Sequence, residues 1–336
     1  MHFKKSIQQT LSVLFLVTTI FLFFAGCDGD SNDGTGSTDG DTDGDSDGDA
    51  DCKDLPDTPV EVNTLKKTYG WHGLAFDKDG YIYGQNDSSL VKVKDGQMTV
   101  VAKLPGEGIE GLTFLPDGDI IAATSIMSST GAILRITPAG AISTIATIID
   151  AYDVILGPDN NIYISSCDKV SRLNPSTGKV TMLVDGGTPY SEDGGFVYKS
   201  IDFSPDHTKL YIGASGSEGI VYVQDLDKDL NPVGKLEVLA DGLGASGGAN
   251  LDGLAVDKCG NLFVTEMWGD CIYRISPDGD VKVFYKYKGD GSIGYGHNVV
   301  FGSGKGEWKK DAIYLPLPYN EFGSEVLEVV VGVTSR

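Results

Sequence analysis

The sequence predicts an all-β protein: a six-bladed β-propeller with four-stranded blades, closed by an N-terminal outer strand in the last blade. Three observations predict it. A single phrase, an ionisable or polar head followed by an apolar run, recurs six times within residues 57–336. The copies are spaced by 38, 42, 47, 53 and 45 residues, the period of a four-stranded blade. Each copy also carries the turn chemistry of two successive hairpins, and no window of helical period rivals the alternation.

The elements follow in chain order. "MHFKKS" gives a positive start with Lys4 and Lys5, and "LSVLFLVTTIFLFFAG" (11–26) is an apolar run closed by small residues. Residues 1–26 therefore read as a secretory signal, too short and wrongly flanked for a membrane span. "FAGC" resembles the bacterial lipobox, with Phe24 where Leu is usual. That resemblance implies acylation of Cys27, which would anchor the protein to a membrane of the bacterial cell envelope rather than thread it through. An ordinary cleaved signal is the alternative.

Residues 27–56 follow as an Asp/Gly-rich tether. Residues 28–51 hold ten Asp, no Lys or Arg and no large apolar residue, so they cannot bury a core and should stay extended by charge repulsion. "DTDGDSDGDAD" also resembles calcium-binding loops, but the closing Glu of an EF-hand is missing. The formal net charge of −22 and the lack of a basic patch exclude nucleic acid as a partner. A monomer is expected.

The propeller occupies residues 57–336. Its phrase reads "HGLAFDKDGYIY" (72–83), "EGLTFLPDGDII" (110–121), "YDVILGPDNNIY" (152–163), "KSIDFSPDHTKLYI" (199–212), "DGLAVDKCGNLF" (252–263) and "HNVVFGSGKGEWKKDAIY" (297–314). The short apolar run is an innermost strand buried on both faces. A turn such as "LPDGD" suits a type I turn with a glycine bulge. A second apolar run and a second hairpin complete the blade. The last unit ends one strand short at "SEVLEVVVGVTSR", so residues 60–68 are expected to close the sixth blade as its outer strand, which removes the exposed edges.

These repeats resemble NHL-type propellers and the regucalcin/gluconolactonase family, most closely in "LDGLAVDKCGNLFVTEMWGDCIYRISPDG". The resemblance is specific for fold and weak for activity, since this architecture hosts many functions. It implies that the innermost strands start at the ligand-binding end of a central channel. The heads would then form an axial ring of His72, Glu110, Tyr152, Lys199, Asp252 and His297, with Asn298 beside the last. Two of the three histidines beyond the signal fall in this ring. Polar heads can also merely tie down loops.

Asp252, His72, His297 and Glu110 are the candidate ligands of a divalent metal, Ca, Zn or Mn. Lys199, Tyr152 and Glu110 are the candidate catalytic residues, and Asn298, Glu192 and Asp193 are candidate substrate contacts. The gluconolactonase resemblance implies a cation held by Glu, Asn and Asp at the heads of blades one, four and five. Only Asp252 matches; His72 and Lys199 stand at the other two. His and Glu at such heads also resemble propeller lyases such as virginiamycin B lyase.

The expected activity is metal-dependent hydrolysis of lactones or esters in the axial channel. The alternative is a non-catalytic envelope propeller that binds a sugar, a peptide or a protein. Cys52 precedes the closing strand and Cys259 lies in the far-end turn of blade five, so a Cys52–Cys259 disulfide is within geometric reach.

Overall fold

Among the described residues, apolar runs interrupted by Asp/Gly turns form 24 strands in six antiparallel four-stranded sheets. The computed structural model describes residues 52–336 except 67, 71, 106–107, 126–130, 187–196, 245–248, 270, 287–295 and 318–324. No helix occurs among the described residues.

Strand β1 is Glu61–Lys66. Blade one contains Ala75–Phe76, Ile82–Asn86, Ser89–Lys94 and Gln97–Lys103 (β2 to β5). Blade two contains Gly108–Phe114, Ile120–Ser125, Ala132–Ile136 and Ile142–Thr147 (β6 to β9). Blade three contains Ala151–Leu156, Ile162–Ser166, Lys169–Leu173 and Val180–Asp185 (β10 to β13). Blade four contains Val197–Phe203, Lys209–Ser215, Ile220–Leu226 and Pro232–Ala240 (β14 to β17). Blade five contains Leu251–Val256, Leu262–Glu266, Cys271–Ile275 and Val281–Lys286 (β18 to β21). Blade six contains Val300–Phe301, Ala312–Leu317 and Glu325–Val330 (β22 to β24).

Burial peaks at the second strand of each blade and falls outward. Of the innermost strands only β18 is buried throughout, while β2, β6, β10 and β22 are partly open because they line the channel, contrary to the expectation of burial on both faces. The second strands β11, β19 and β23 are buried at every residue, whereas the outer strands β5, β13 and β21 are largely exposed. The core lies between neighbouring blades: Phe263, Ile272 and Phe284 of blade five pack on Ile313, Leu315 and Leu327 of blade six. Full burial of each such side chain stabilises by about 1.5–3 kcal/mol.

The far-end turns recur for a chemical reason. Asp257 Oδ1 accepts hydrogen bonds from the Cys259 and Asn261 amides at 2.8 Å. Gly260 then takes φ +83°, which favours glycine. Asp77 does the same in blade one, accepting from the Asp79 and Tyr81 amides at 2.9 Å.

The ring closes as the sequence predicts. β1 pairs antiparallel with β24, from Glu61↔Val330 to Lys66↔Glu325, as the outer strand of blade six. Buried Glu328 accepts from the Tyr314 hydroxyl at 2.5 Å, and Lys309 bridges Glu61 and Glu328 at 2.6 and 3.0 Å. Cys52 and Cys259 form a disulfide. Arg274 donates to the Pro56 carbonyl, and Lys282 pairs with Asp57 at 2.8 Å. The segment leading into β1 is thus fastened to the far end of blade five.

Candidate functional site

Four of the six heads leave the ladder at bulges in the innermost strands, whereas His72 and His297 stand in the segments just before β2 and β22. The ladder between β6 and β7 skips one residue between Ile109 and Gly111, that between β14 and β15 between Tyr198 and Ser200, and that between β18 and β19 between Leu251 and Gly253. The skipped residues are Glu110, Lys199 and Asp252. In β10 the shift lies between Ala151 and Val154, so it frees both Tyr152 and Asp153. A bulged residue leaves the ladder and its side chain is re-aimed.

Glycine next to the head lets neighbouring blades close in. A Cβ on Gly253 would lie 2.5 Å from the Val299 nitrogen, and one on Gly111 would lie 2.8 Å from the Tyr152 carbonyl oxygen. Second-strand hydroxyls then clamp one blade to the next. Thr265 accepts from the Gly253 amide at 2.7 Å and donates to the His297 carbonyl at 2.9 Å. Ser165 accepts from the Asp153 amide and donates to the Lys199 carbonyl, both at 3.0 Å.

The six heads form one belt of contacts. Glu110 Oε2 lies 2.5 Å from His72 Nδ1. The His72 ring stacks on His297 with centroids 3.7 Å apart and planes at 26°. His297 Nδ1 is hydrogen-bonded to Asp252 Oδ2. Asp252 Oδ1 lies 3.4 Å from Lys199 Nζ, and that ammonium lies 4.9 Å from the Tyr152 ring centroid. Lys199 thus leans onto Asp252 rather than facing it across the channel.

Asp153 and Asn298 form the floor beneath the belt. Asp153 accepts from the amides of Val154 at 2.9 Å and Ile201 at 3.2 Å, and from Asn298 Nδ2 at 3.5 Å. Residue-by-residue reading of the sequence missed Asp153 because it allotted a single head to each blade. The available signal was its alignment with Asn298, one place after the head in "YDVIL" and "HNVVF".

The cavity among the heads is only about 10 Å³, room for an ion or one water. Below the floor a cavity of about 550 Å³ runs to the far end, where Arg336 pairs with Asp202 at 2.8 Å. That lower cavity lacks the convergence of ionisable groups found above it.

Charge within the belt is set by burial and neighbours. Burial pushes the Asp252 carboxyl up, but the Lys199 ammonium and the His297 hydrogen bond outweigh it and hold it below the usual carboxylate range. Burial pulls His297 down more than Asp252 raises it, which favours the neutral ring. Burial pushes Asp153 up to about 7 despite its bonds to the Ile201 and Val154 amides.

His72, Asp252 and His297 each bring one ligand atom within 4.8 Å of the others. Two imidazoles and a carboxylate suit Zn or Mn. Calcium takes about 6–8 oxygens, and this donor set is too rich in nitrogen for it. Glu110 lies just outside the trio, on His72. Cys27, Glu192 and Asp193 lie outside the described residues.

Residues 94–290 match the family model of the SMP-30/gluconolactonase/LRE-like region. No curated protein matches in sequence. Among solved structures, a calcium-binding regucalcin from Agrobacterium tumefaciens is 18% identical with TM-score 0.60, over 84% of this chain and 94% of that one. A gluconolactonase from Xanthomonas campestris is 14% identical with TM-score 0.62, over 80% and 89%. A luciferin-regenerating enzyme is 18% identical with TM-score 0.60, over 83% and 97%. At such identities the likeness establishes the fold.

Proposed function

The chain belongs to the SMP-30/gluconolactonase/LRE-like family, and from that premise we propose that it is a metal-dependent lactone or ester hydrolase of the bacterial cell envelope. The observation that carries the reading is the convergence of His72, Asp252 and His297 within a belt of six ionisable or aromatic heads. Those three residues would hold the ion, and Zn or Mn fits them better than Ca. When bound, such an ion polarises a carbonyl and acidifies a water.

The chain's own groups supply the rest. Glu110, in contact with His72, orients that imidazole and is placed to take the proton from the attacking water. The water oxygen bonds to the carbonyl carbon, and the ester or lactone oxygen leaves with a proton. Lys199 and Tyr152 steady the developing oxyanion. Asn298 and Asp153 support the ring from below, and Glu192 and Asp193 are proposed substrate contacts from the segment before blade four.

Cys27 is proposed as the acylated anchor and residues 28–51 as the tether. Because Cys52 is bonded to Cys259 in the far-end turn, the tether would leave from the end opposite the heads. The ring would then face away from the membrane.

Hydrolysis of D-glucono-1,5-lactone, followed by pH-stat with Zn, Mn or Ca added to metal-stripped protein, tests the activity. Zn or Mn should restore it, and Asp252→Ala should lower kcat/KM by about 100-fold or more. Folded protein that hydrolyses neither lactones nor simple esters with any of these ions would instead favour a non-catalytic binder of an anionic sugar or peptide. The Lys199 ammonium on Asp252 is the observation in favour of that second reading.

A further inference from the structure

We infer that Lys199 and a divalent cation compete for the Asp252 carboxylate, so that the lysine sets how tightly the ring holds its ion and is released toward the channel when the ion binds. The inference rests on the metal reading above.

Both oxygens of Asp252 are engaged. Oδ2 is held by His297 and Oδ1 faces Lys199 at 3.4 Å. His297 is itself one of the converging donors, so it stays when an ion arrives. The group that must leave is the ammonium. Its hold is weak in geometry: 3.4 Å is well beyond the roughly 2.7–2.9 Å of a strong charge-assisted hydrogen bond. The Lys199 and Asp252 side chains are only 14% and 5% exposed, so water screens little of the repulsion between an ammonium and an incoming cation.

The ammonium is not held by Asp252 alone. The Tyr152 ring already lies 4.9 Å from Nζ, and an aromatic face attracts a cation, so that contact can be kept as Nζ moves off the carboxylate. The Lys199 backbone stays put, because the Ser165 hydroxyl donates to its carbonyl at 3.0 Å. Only the flexible side chain needs to swing. Ion binding would then convert Lys199 from the counter-ion of Asp252 into a cation facing the channel, where a substrate oxyanion would meet it.

Isothermal titration of Zn(II) at fixed pH into metal-stripped wild type, Lys199→Met and Lys199→Arg tests the competition. The neutral methionine variant should bind Zn(II) at least about tenfold more tightly than wild type. The arginine variant should stay close to wild type. Equal affinity of wild type and Lys199→Met would overturn the inference and leave the metal reading standing. Absence of Zn(II) binding in all three proteins would overturn both.

A second measurement uses the wild type alone, so a poorly folding variant does not remove the test. Acetylation of Lys199 by acetic anhydride, followed by peptide mass spectrometry, should rise severalfold when Zn(II) is added. Reactivity unchanged by saturating Zn(II) would overturn the inference.

Discussion

Asp252 and Asp153 are both buried acids on one axis, and their surroundings push them in opposite directions. Asp252 has the Lys199 ammonium beside it, so Asp252→Ala would leave a largely buried cation without its partner. Urea denaturation should show a loss of about 3 kcal/mol, and a Lys199→Met/Asp252→Asn double variant should lose less than the sum of the single changes. Asp153 has backbone amides but no cation among its contacts, and burial raises it to about 7 from the ordinary 3.8. Between those values the unfolded chain releases a proton that the folded chain keeps, so stability falls as pH rises from about 4 to about 7. Asp153→Asn should remove that slope in urea melts recorded across this range; an unchanged slope would place the titration elsewhere. The sequence allowed Asp252 to be singled out, because it heads the best-conforming repeat. Asp153 stayed hidden because its role depends on a two-residue excursion within β10.

The innermost strand is the element that builds the site. Its head, glycine and apolar run were readable in "HGLAF", "EGLTF" and "DGLAV". The bulge was not, because it is a mismatch between two strands and no single strand records it. Glycine after the head has a packing cause: the next blade's backbone fills the space where a Cβ would stand. Gly253→Ala would press that Cβ against Asn298 and Val299. It should cost about 1–3 kcal/mol or more, measured by chemical denaturation, and should weaken Zn(II) binding by moving His297. Thr265→Val removes the hydroxyl that joins Gly253 to the His297 carbonyl while nearly keeping the volume. It should lower kcat through misplacement of His297 while leaving far-UV circular dichroism unchanged.

For the whole molecule, repeat spacing and the missing last strand were sufficient to predict six blades and their closure by residues near 60–68; the observed strand is Glu61–Lys66. Propeller closure is legible because it follows from a count of strands. The contacts among the heads are less so, since they depend on where six separate side chains lean. The segment before β1 is tied to blade five by the Cys52–Cys259 disulfide across a sequence separation of 207. A loop that long falls at the upper end of the roughly 2–4 kcal/mol that a disulfide contributes. Cys259→Ser should therefore lower Tm by several degrees while leaving Zn(II) affinity unchanged, because Cys259 lies at the end away from the ring. The central claim is that the axial ring is a transition-metal centre built from His72, Asp252 and His297. Anomalous diffraction at the zinc edge from Zn(II)-loaded crystals tests it most directly. The predicted result is one strong peak within about 2.0–2.2 Å of a nitrogen of each imidazole and an oxygen of Asp252, with Lys199 turned away. No peak in the channel, or a peak that none of these three residues touches, would contradict it.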